Sequence, residues 1–348
     1  MESKMVTQPG SDHVAIGVVG AGAWGTALAD LLAAKGHRVD LWAFEEEVCR
    51  TIRDDRENRL FLPGKKLSPN LTAHGDLETV ISAKALLLIV VPSHVMRATT
   101  ERMGNLVPPE AIVVSASKGI ENTTHLTMTG VLSETLPRVQ KSRLAVLSGP
   151  SFAREVAARV PTVVTVACHD LQVAAVVQKV LVTPYFRVYT HADVIGVELG
   201  GAVKNVIAIA AGIIDGLGLG LNTRAALITR GLTEIRRLGL ALGASPRTFP
   251  GLAGVGDLIL TCTGSLSRNH TVGKKIGQGM RLTDILADMR TVAEGVRTAK
   301  SVYNLSRNVG VEMPICSEIY HVLYDGVPPR VALERLMTRD LRQELDEQ

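Results

Sequence analysis

The sequence has no C-x-x-C pair, no run of basic residues and no histidines at metal-ligand spacing. Its four cysteines, Cys49, Cys168, Cys262 and Cys316, stand far apart. Neither a zinc site nor a disulfide framework is expected, and a reducing cytoplasm fits best. Lys and Arg number 38 against 34 Asp and Glu, and the cations are scattered in twos and threes, which argues against nucleic-acid binding as a main task. Val14 to Ala34 is long enough to cross a bilayer, but four glycines and Asp30 interrupt it, so a strand, a tight turn and a buried helix explain it better. The first twelve residues are polar and lack the basic start and cleavage pattern of a signal peptide. No internal repeat or low-complexity segment is present.

What is there is a chain of 348 residues, 46% hydrophobic, able to bury a substantial core and long enough to favour two domains. Its first half alternates buried strand candidates with helical stretches. The candidates are VAIGVVG at 14–20, RVDLWAF at 38–44, ALLLIVVP at 85–92, AIVVSAS at 111–117, RLAVLSG at 143–149 and TVVTVA at 162–167. Six strands with crossovers predict an α/β, Rossmann-like, doubly wound parallel sheet over 13–203. From about Val197 strand signals fade and apolar residues recur at three- and four-residue spacing, which predicts an all-α C-terminal domain over 204–342. A helix beginning near Glu198 joins the two. DGLGLGLN at 215–222 reads as a flexible connection between helices.

Gly20, Gly22 and Gly25 follow the first strand and open a helix, as a dinucleotide's G-x-G-x-x-G does. Gly20 permits the turn, Gly22 lets amides approach the pyrophosphate, and Gly25 lets helix and strand pack closely. Ala23 and Trp24 line the same turn, where Trp24 either packs or touches the cofactor. At the end of the second strand stand Phe44, Glu45, Glu46 and Glu47, with no Lys, Arg or His between Val39 and Cys49. Three carboxylates would repel a 2'-phosphate, and they also suit an acidic helix start.

Two lysines carry candidate chemistry. Lys118 follows AIVVSAS at its carboxyl end, the edge where open α/β sheets bind ligands. Lys204 lies in ELGGAVKNVIAIAAG, a helix apolar nearly all round. Burial would lower its pKa toward the range useful for proton transfer; the alternative is an ammonium that snorkels to solvent. Asn205 carries no independent signal. In GVGDLILTCTGSLSRNHTVGKK, Asp257 and Thr261 share a helix face, and Ser267 reads as the N-cap of a new helix. That places Arg268 and Asn269 in a first turn suited to a phosphate.

GAGAWGTALA, VVPSH, SASKGIE, SGPSFAREV, the ELGGAVKN to ITRG stretch, GVGDLILTCTGSLSRNHTVG and VEMPI follow one another as in the bacterial NAD(P)-dependent glycerol-3-phosphate dehydrogenases. The chain resembles that family from about residue 14 to 327. The resemblance implies a cytoplasmic, homodimeric enzyme that reduces dihydroxyacetone phosphate to sn-glycerol 3-phosphate for phospholipid synthesis; no membrane span and no metal are expected from the composition and the histidine spacing above. It puts the proton-donating lysine on Lys204. Further substrate contacts fall on Lys118, Gly149, Ser151, Asp257, Ser267, Arg268 and Asn269, and further cofactor contacts on Ala153, Arg268, Val292 and Glu294. LWAFEEE looks like the NAD-using eukaryotic relatives, so NADH is expected to serve at least as well as NADPH. In the mechanism this implies, Lys204 protonates the developing alkoxide, Lys118 adds positive charge and Asp257 orients the lysine. The competing readings are a β-hydroxyacid dehydrogenase-like oxidoreductase, which needs no phosphate cradle, and an NADH-binding sensor without turnover.

Overall fold

The computed structural model describes residues 14–289, 293–341 and 343–344. One sheet of eight strands forms the N-terminal half: β1 (Ala15–Val19), β2 (Arg38–Trp42), β3 (Leu71–His74), β4 (Leu86–Ile89), β5 (Ile112–Ser115), β6 (Leu144–Ser148), β7 (Thr162–Cys168) and β8 (Phe186–His191). Their order is β3-β2-β1-β4-β5-β6-β7-β8. The helices between them are α1 (Ala23–Ala34), α2 (Glu46–Asp55), α3 (Leu77–Ile81), α4 (Met96–Met103), α5 (Met128–Thr135), α6 (Ala153–Ala157) and α7 (Leu171–Leu181).

Strands β1 to β6 pair in parallel, and the chain order reverses between β1 and β4, the crevice in which doubly wound sheets bind ligands. Strand β4 shows why the order is stable. Leu86 and Leu88 enter the core on one face, under α1, α2 and α7, while Leu87 and Ile89 enter the core on the other, under α3, α4 and α5. Both faces are covered, so every residue of this strand is apolar.

The all-parallel expectation is corrected at β7, which runs antiparallel to β6 with Ser148 opposite Thr165. Only the five-residue α6 lies between them, too little helix to carry the chain back across the sheet for a parallel return. Two strands, β3 and β8, add to the six expected.

The C-terminal half is helical: α8 (Val194–Leu217), α9 (Gly220–Ala241), α10 (Asp257–Thr263), α11 (Arg268–Gly277), α12 (Leu282–Ala287), α13 (Glu294–Asn308), α14 (Pro314–Tyr324) and α15 (Pro329–Met337). Helix α8 starts at Val194, four residues ahead of the expected Glu198, because Asp193 caps it by accepting from the Gly196 amide at 2.9 Å. Among the described residues it is the one helix long and apolar enough to cross a membrane, yet protein buries that apolar stretch completely. It is the central rod of the helical core, with Val203, Val206, Ile207 and Ile209 wholly enclosed. Each such side chain contributes roughly 1.5–3 kcal/mol by leaving water. The glycine-rich DGLGLGLN forms the tight turn from α8 to α9 through Gly218, whose φ is +73°.

Glu198 on α8 ties the two halves together. Its buried carboxylate accepts from the Thr129 amide at 2.8 Å and from the Thr129 hydroxyl at 2.5 Å. It thereby caps α5, whose own N-cap residue, Thr127, supplies no side-chain cap.

Candidate active site

The parallel strands β1, β4, β5 and β6 are neighbours, so the segments after them meet at one edge: Gly20 to Gly25, Ser93, Lys118 and Gly149. Gly20 takes φ +114°, a conformation that favours glycine. A Cβ on Gly25 would overlap the Gly20 carbonyl oxygen, so helix α1 meets its strand backbone to backbone. Gly22 differs, because a Cβ there would meet nothing within 4 Å. It caps α1 without a side chain, and the first turn carries no acidic residue. The first amides of α1 have no intrahelical acceptor, and the space beside Gly22 is open, which fits a dinucleotide's pyrophosphate.

Around this cradle, Trp24 and Ala153, at the start of α6, both pack against the cluster of Ala27, Leu62 and Ala157, and the Trp24 indole N–H has no partner among the described residues. Phe44 stands 75% exposed beyond β2, edge-on to Trp42. Glu45 is the N-cap of α2, and Glu46 and Glu47 form its acidic first turn. All three carboxylates are exposed.

Next to the cradle lies a charged network. A single π-helical turn, Leu252–Gly256, delivers Asp257 to the first position of α10, where it is 1% exposed. Lys118 Nζ donates to Asp257 Oδ2 at 2.6 Å and to the Gly149 carbonyl at 3.2 Å. Lys204 Nζ lies 2.7 Å from Asp257 Oδ1 and donates to Thr261 Oγ1 at 2.6 Å. Lys204 is 5% exposed, so its ammonium does not snorkel.

Burial lowers the Lys204 pKa to about 8; Asp257 opposes that shift and the Lys118 charge adds to it. Burial alone would raise the Asp257 carboxyl, but Lys118 and then Lys204 bring it below its ordinary value. Losing this carboxylate would strand two cations, at about 3–5 kcal/mol for a broken buried pair. Nearby Cys262 is pushed up to about 12 by burial, so its thiol stays protonated. Gly149 takes φ +138°, and its carbonyl also accepts from Ser151 Oγ at 3.0 Å.

Helix α11 opens as the sequence suggests, with Ser267 Oγ accepting from the His270 amide at 3.2 Å. The amides of Arg268 and Asn269 come first in the helix and have no intrahelical acceptor. Among the described residues the Arg268 side chain makes no hydrogen bond and no ion pair; the residue keeps surface in solvent, yet burial around its guanidinium lowers its pKa, and the charge of Glu294 opposes that shift. Asn269 is occupied differently: its side chain donates to Asn205 Oδ1 at 2.8 Å and accepts from the Gly295 amide at 2.9 Å. Glu294, first residue of α13, accepts from the amide of Ser93 at 3.0 Å and from its hydroxyl at 2.5 Å. Val292 lies outside the described residues.

Residues 15–174 match the model of the NAD-dependent glycerol-3-phosphate dehydrogenase N-terminus, and residues 193–334 match that of its C-terminus. The chain belongs to the NAD-dependent glycerol-3-phosphate dehydrogenase family. A glycerol-3-phosphate dehydrogenase [NAD(P)+] of Syntrophobacter fumaroxidans is 59% identical over 331 residues, 95% of this chain and 97% of that one. One from Geobacter sulfurreducens is 57% identical, covering 94% and 98%. The crystal structure of the Coxiella burnetii glycerol-3-phosphate dehydrogenase superposes with a TM-score of 0.90 at 38% identity, covering 94% and 99%.

The glycine cradle and the charged network share one sheet edge. The structure joins Lys118, Gly149, Ser151, Lys204 and Asp257 in a single hydrogen-bonded set, and Asn205 links Lys204's helix to the start of α11. Three members had no assigned role in the sequence reading: Thr261 as a lysine partner, Asn205 as the brace of Asn269, and Ser93 as the partner of Glu294. The i, i+4 spacing of Asp257 and Thr261 was the one available signal; the other two depend on contacts across long stretches of chain.

Proposed function

We propose that this chain reduces dihydroxyacetone phosphate to sn-glycerol 3-phosphate with NADH or NADPH, and runs the reverse reaction, supplying the glycerol backbone of phospholipids. The observation that carries the reading is Lys204, a buried ammonium on a bridging carboxylate, joined through Asn205 and Asn269 to a helix start that carries Arg268, a guanidinium that makes no hydrogen bond or ion pair among the described residues.

The reduced nicotinamide, when bound, supplies the hydride. The chain's own residues do the rest. Arg268 and the first amides of α11 hold the substrate phosphate, since a guanidinium and a helix N-terminus both favour a dianion. Lys204 delivers its proton to the oxygen that becomes alkoxide, and a pKa of about 8 suits donation near neutrality. Lys118 places positive charge beside that oxygen and keeps the Lys204 pKa down. Asp257 and Thr261 fix the direction of the lysine. Gly149, Ser151, Ser267 and Asn269 complete the substrate site, and Ala153, Val292 and Glu294 the coenzyme site.

Residues 13–203 would then bind coenzyme and 204–342 carry the proton donor and phosphate site, with α8 running unbroken across the boundary. The exposed Glu45, Glu46 and Glu47 favour NADH at least as much as NADPH. Four free thiols agree with a cytoplasmic setting, and a homodimer is the assembly suggested by the family resemblance. Mixing the purified chain with NADH and dihydroxyacetone phosphate tests the reading: reduced-nicotinamide absorbance should fall, and an unchanged absorbance overturns it.

A further inference from the structure

Helices α8 and α11 pack backbone against backbone. A Cβ on Gly212 would overlap the His270 carbonyl, and one on Gly216 the Lys274 carbonyl. From the other side, a Cβ on Gly273 would overlap the Ile209 carbonyl, and one on Gly277 would lie 2.5 Å from that of Ile213. Each helix thus presents two glycines four residues apart, and at these four places the facing backbone leaves no room for a side chain to absorb an error.

Polar pins hold the same seam. His270 Nε2 lies 2.9 Å from Asp215 Oδ2, and Arg224 holds that carboxylate from α9 at 2.9 Å. Asn269 donates to Asn205 at 2.8 Å. Lys204 belongs to one helix, and Ser267, Arg268 and Asn269 cap or open the other.

We propose that this glycine seam is a ruler: it fixes the distance between the proton donor Lys204 and the phosphate-holding start of α11, and so selects three-carbon ketone phosphates over longer ones. The proposal rests on the functional reading above. Gly212, Gly216, Gly273, Gly277, His270 and Asp215 are positioning residues in it and touch no substrate. A rigid contact transmits displacement along its length, and an error of about 1 Å at reacting groups can cost on the order of a hundredfold.

The test uses Gly277→Ala, because Gly277 is roughly 13 Å along the helix from Arg268. It also uses His270→Asn, which removes a pin without adding atoms and carries the test if the first variant does not fold. The measured quantities are KM and kcat for dihydroxyacetone phosphate, the same constants for its homologue one methylene longer, NADH affinity, and the pH break of the rate. The expected result is a KM for dihydroxyacetone phosphate raised about tenfold or more, a correspondingly narrowed preference over the longer homologue, and unchanged NADH affinity and pH break. Wild-type KM and preference in the folded variants overturn the ruler alone. No turnover of dihydroxyacetone phosphate by the unmodified chain overturns the functional reading, and the ruler with it.

Discussion

Lys118 and Lys204, one from each half of the chain, grip the two oxygens of a single carboxylate: Lys118 Nζ lies 2.6 Å from Asp257 Oδ2 and Lys204 Nζ 2.7 Å from Oδ1. Lys118 keeps part of its side chain in solvent, while Lys204 is enclosed. Burial lowers the pKa of the enclosed Lys204 to about 8, which suits it to donate the proton.

Lys204→Ala should fold and bind NADH, because Asp257 keeps Lys118 as its partner. Turnover should fall by about a hundred- to ten-thousandfold, the range for losing a general acid. Steady-state rates beside an NADH titration check this; near-normal turnover removes Lys204 from the mechanism.

Reduction needs Lys204 protonated, so its rate should fall as pH rises through about 8; oxidation of glycerol 3-phosphate needs the neutral amine and should rise over the same range. In Lys118→Ala the cation that helps lower this pKa is gone, and the break should move upward. A break that stays in place in that variant would show that Lys118 does not act on Lys204.

Coenzyme choice should follow the end of β2. With three exposed carboxylates there, NADH should serve at least as well as NADPH, and Phe44→Arg with Glu45→Ser should shift preference toward NADPH. The ratio of kcat/KM for the two coenzymes measures it. A clear wild-type preference for NADPH would point to a cation from elsewhere, Arg50 and Arg53 first.

Glu234 on α9 accepts from the amides of Ile315 and Cys316, capping α14, whose N-cap residue Met313 has no side-chain cap to give. Burial raises its pKa from 4.5 to about 7, so ionisation costs the folded state more than the unfolded one. The stability this group contributes is fully present below 4.5 and is lost as pH rises through about 7. Relative to Glu234→Gln, the wild type should therefore lose stability over that window, by on the order of 3 kcal/mol. Thermal melts of both proteins from pH 4 to 8.5 read the difference, and a constant gap contradicts it.

The buried strands were legible because both faces of the sheet are covered and leave continuous apolar runs. Strands β3 and β8 were not, since they form the two edges: Thr72 in β3 and Arg187, Tyr189 and Thr190 in β8 face solvent, which breaks the run. Ser267 could be read as a cap because its partner is three residues away. The state of Lys204 could not, because its partners Asp257 and Thr261 lie more than fifty residues downstream and no local pattern distinguishes a paired ammonium from a snorkelling one. Asn205 shows no pattern of its own; its role exists only where α8 meets α11.

The most direct measurement compares dihydroxyacetone phosphate with dihydroxyacetone in the wild type and in Arg268→Ala, following NADH consumption and NADH affinity together. A charge-assisted contact is worth roughly 1.5–3 kcal/mol, so the phosphorylated ketone should lose about ten- to a hundredfold in kcat/KM while the unphosphorylated one changes little. Arg268→Lys should restore part of the loss, keeping the charge without the planar fork. Equal losses for both ketones at unchanged NADH affinity would contradict the account, placing the phosphate away from α11 and favouring a β-hydroxyacid dehydrogenase-like chemistry.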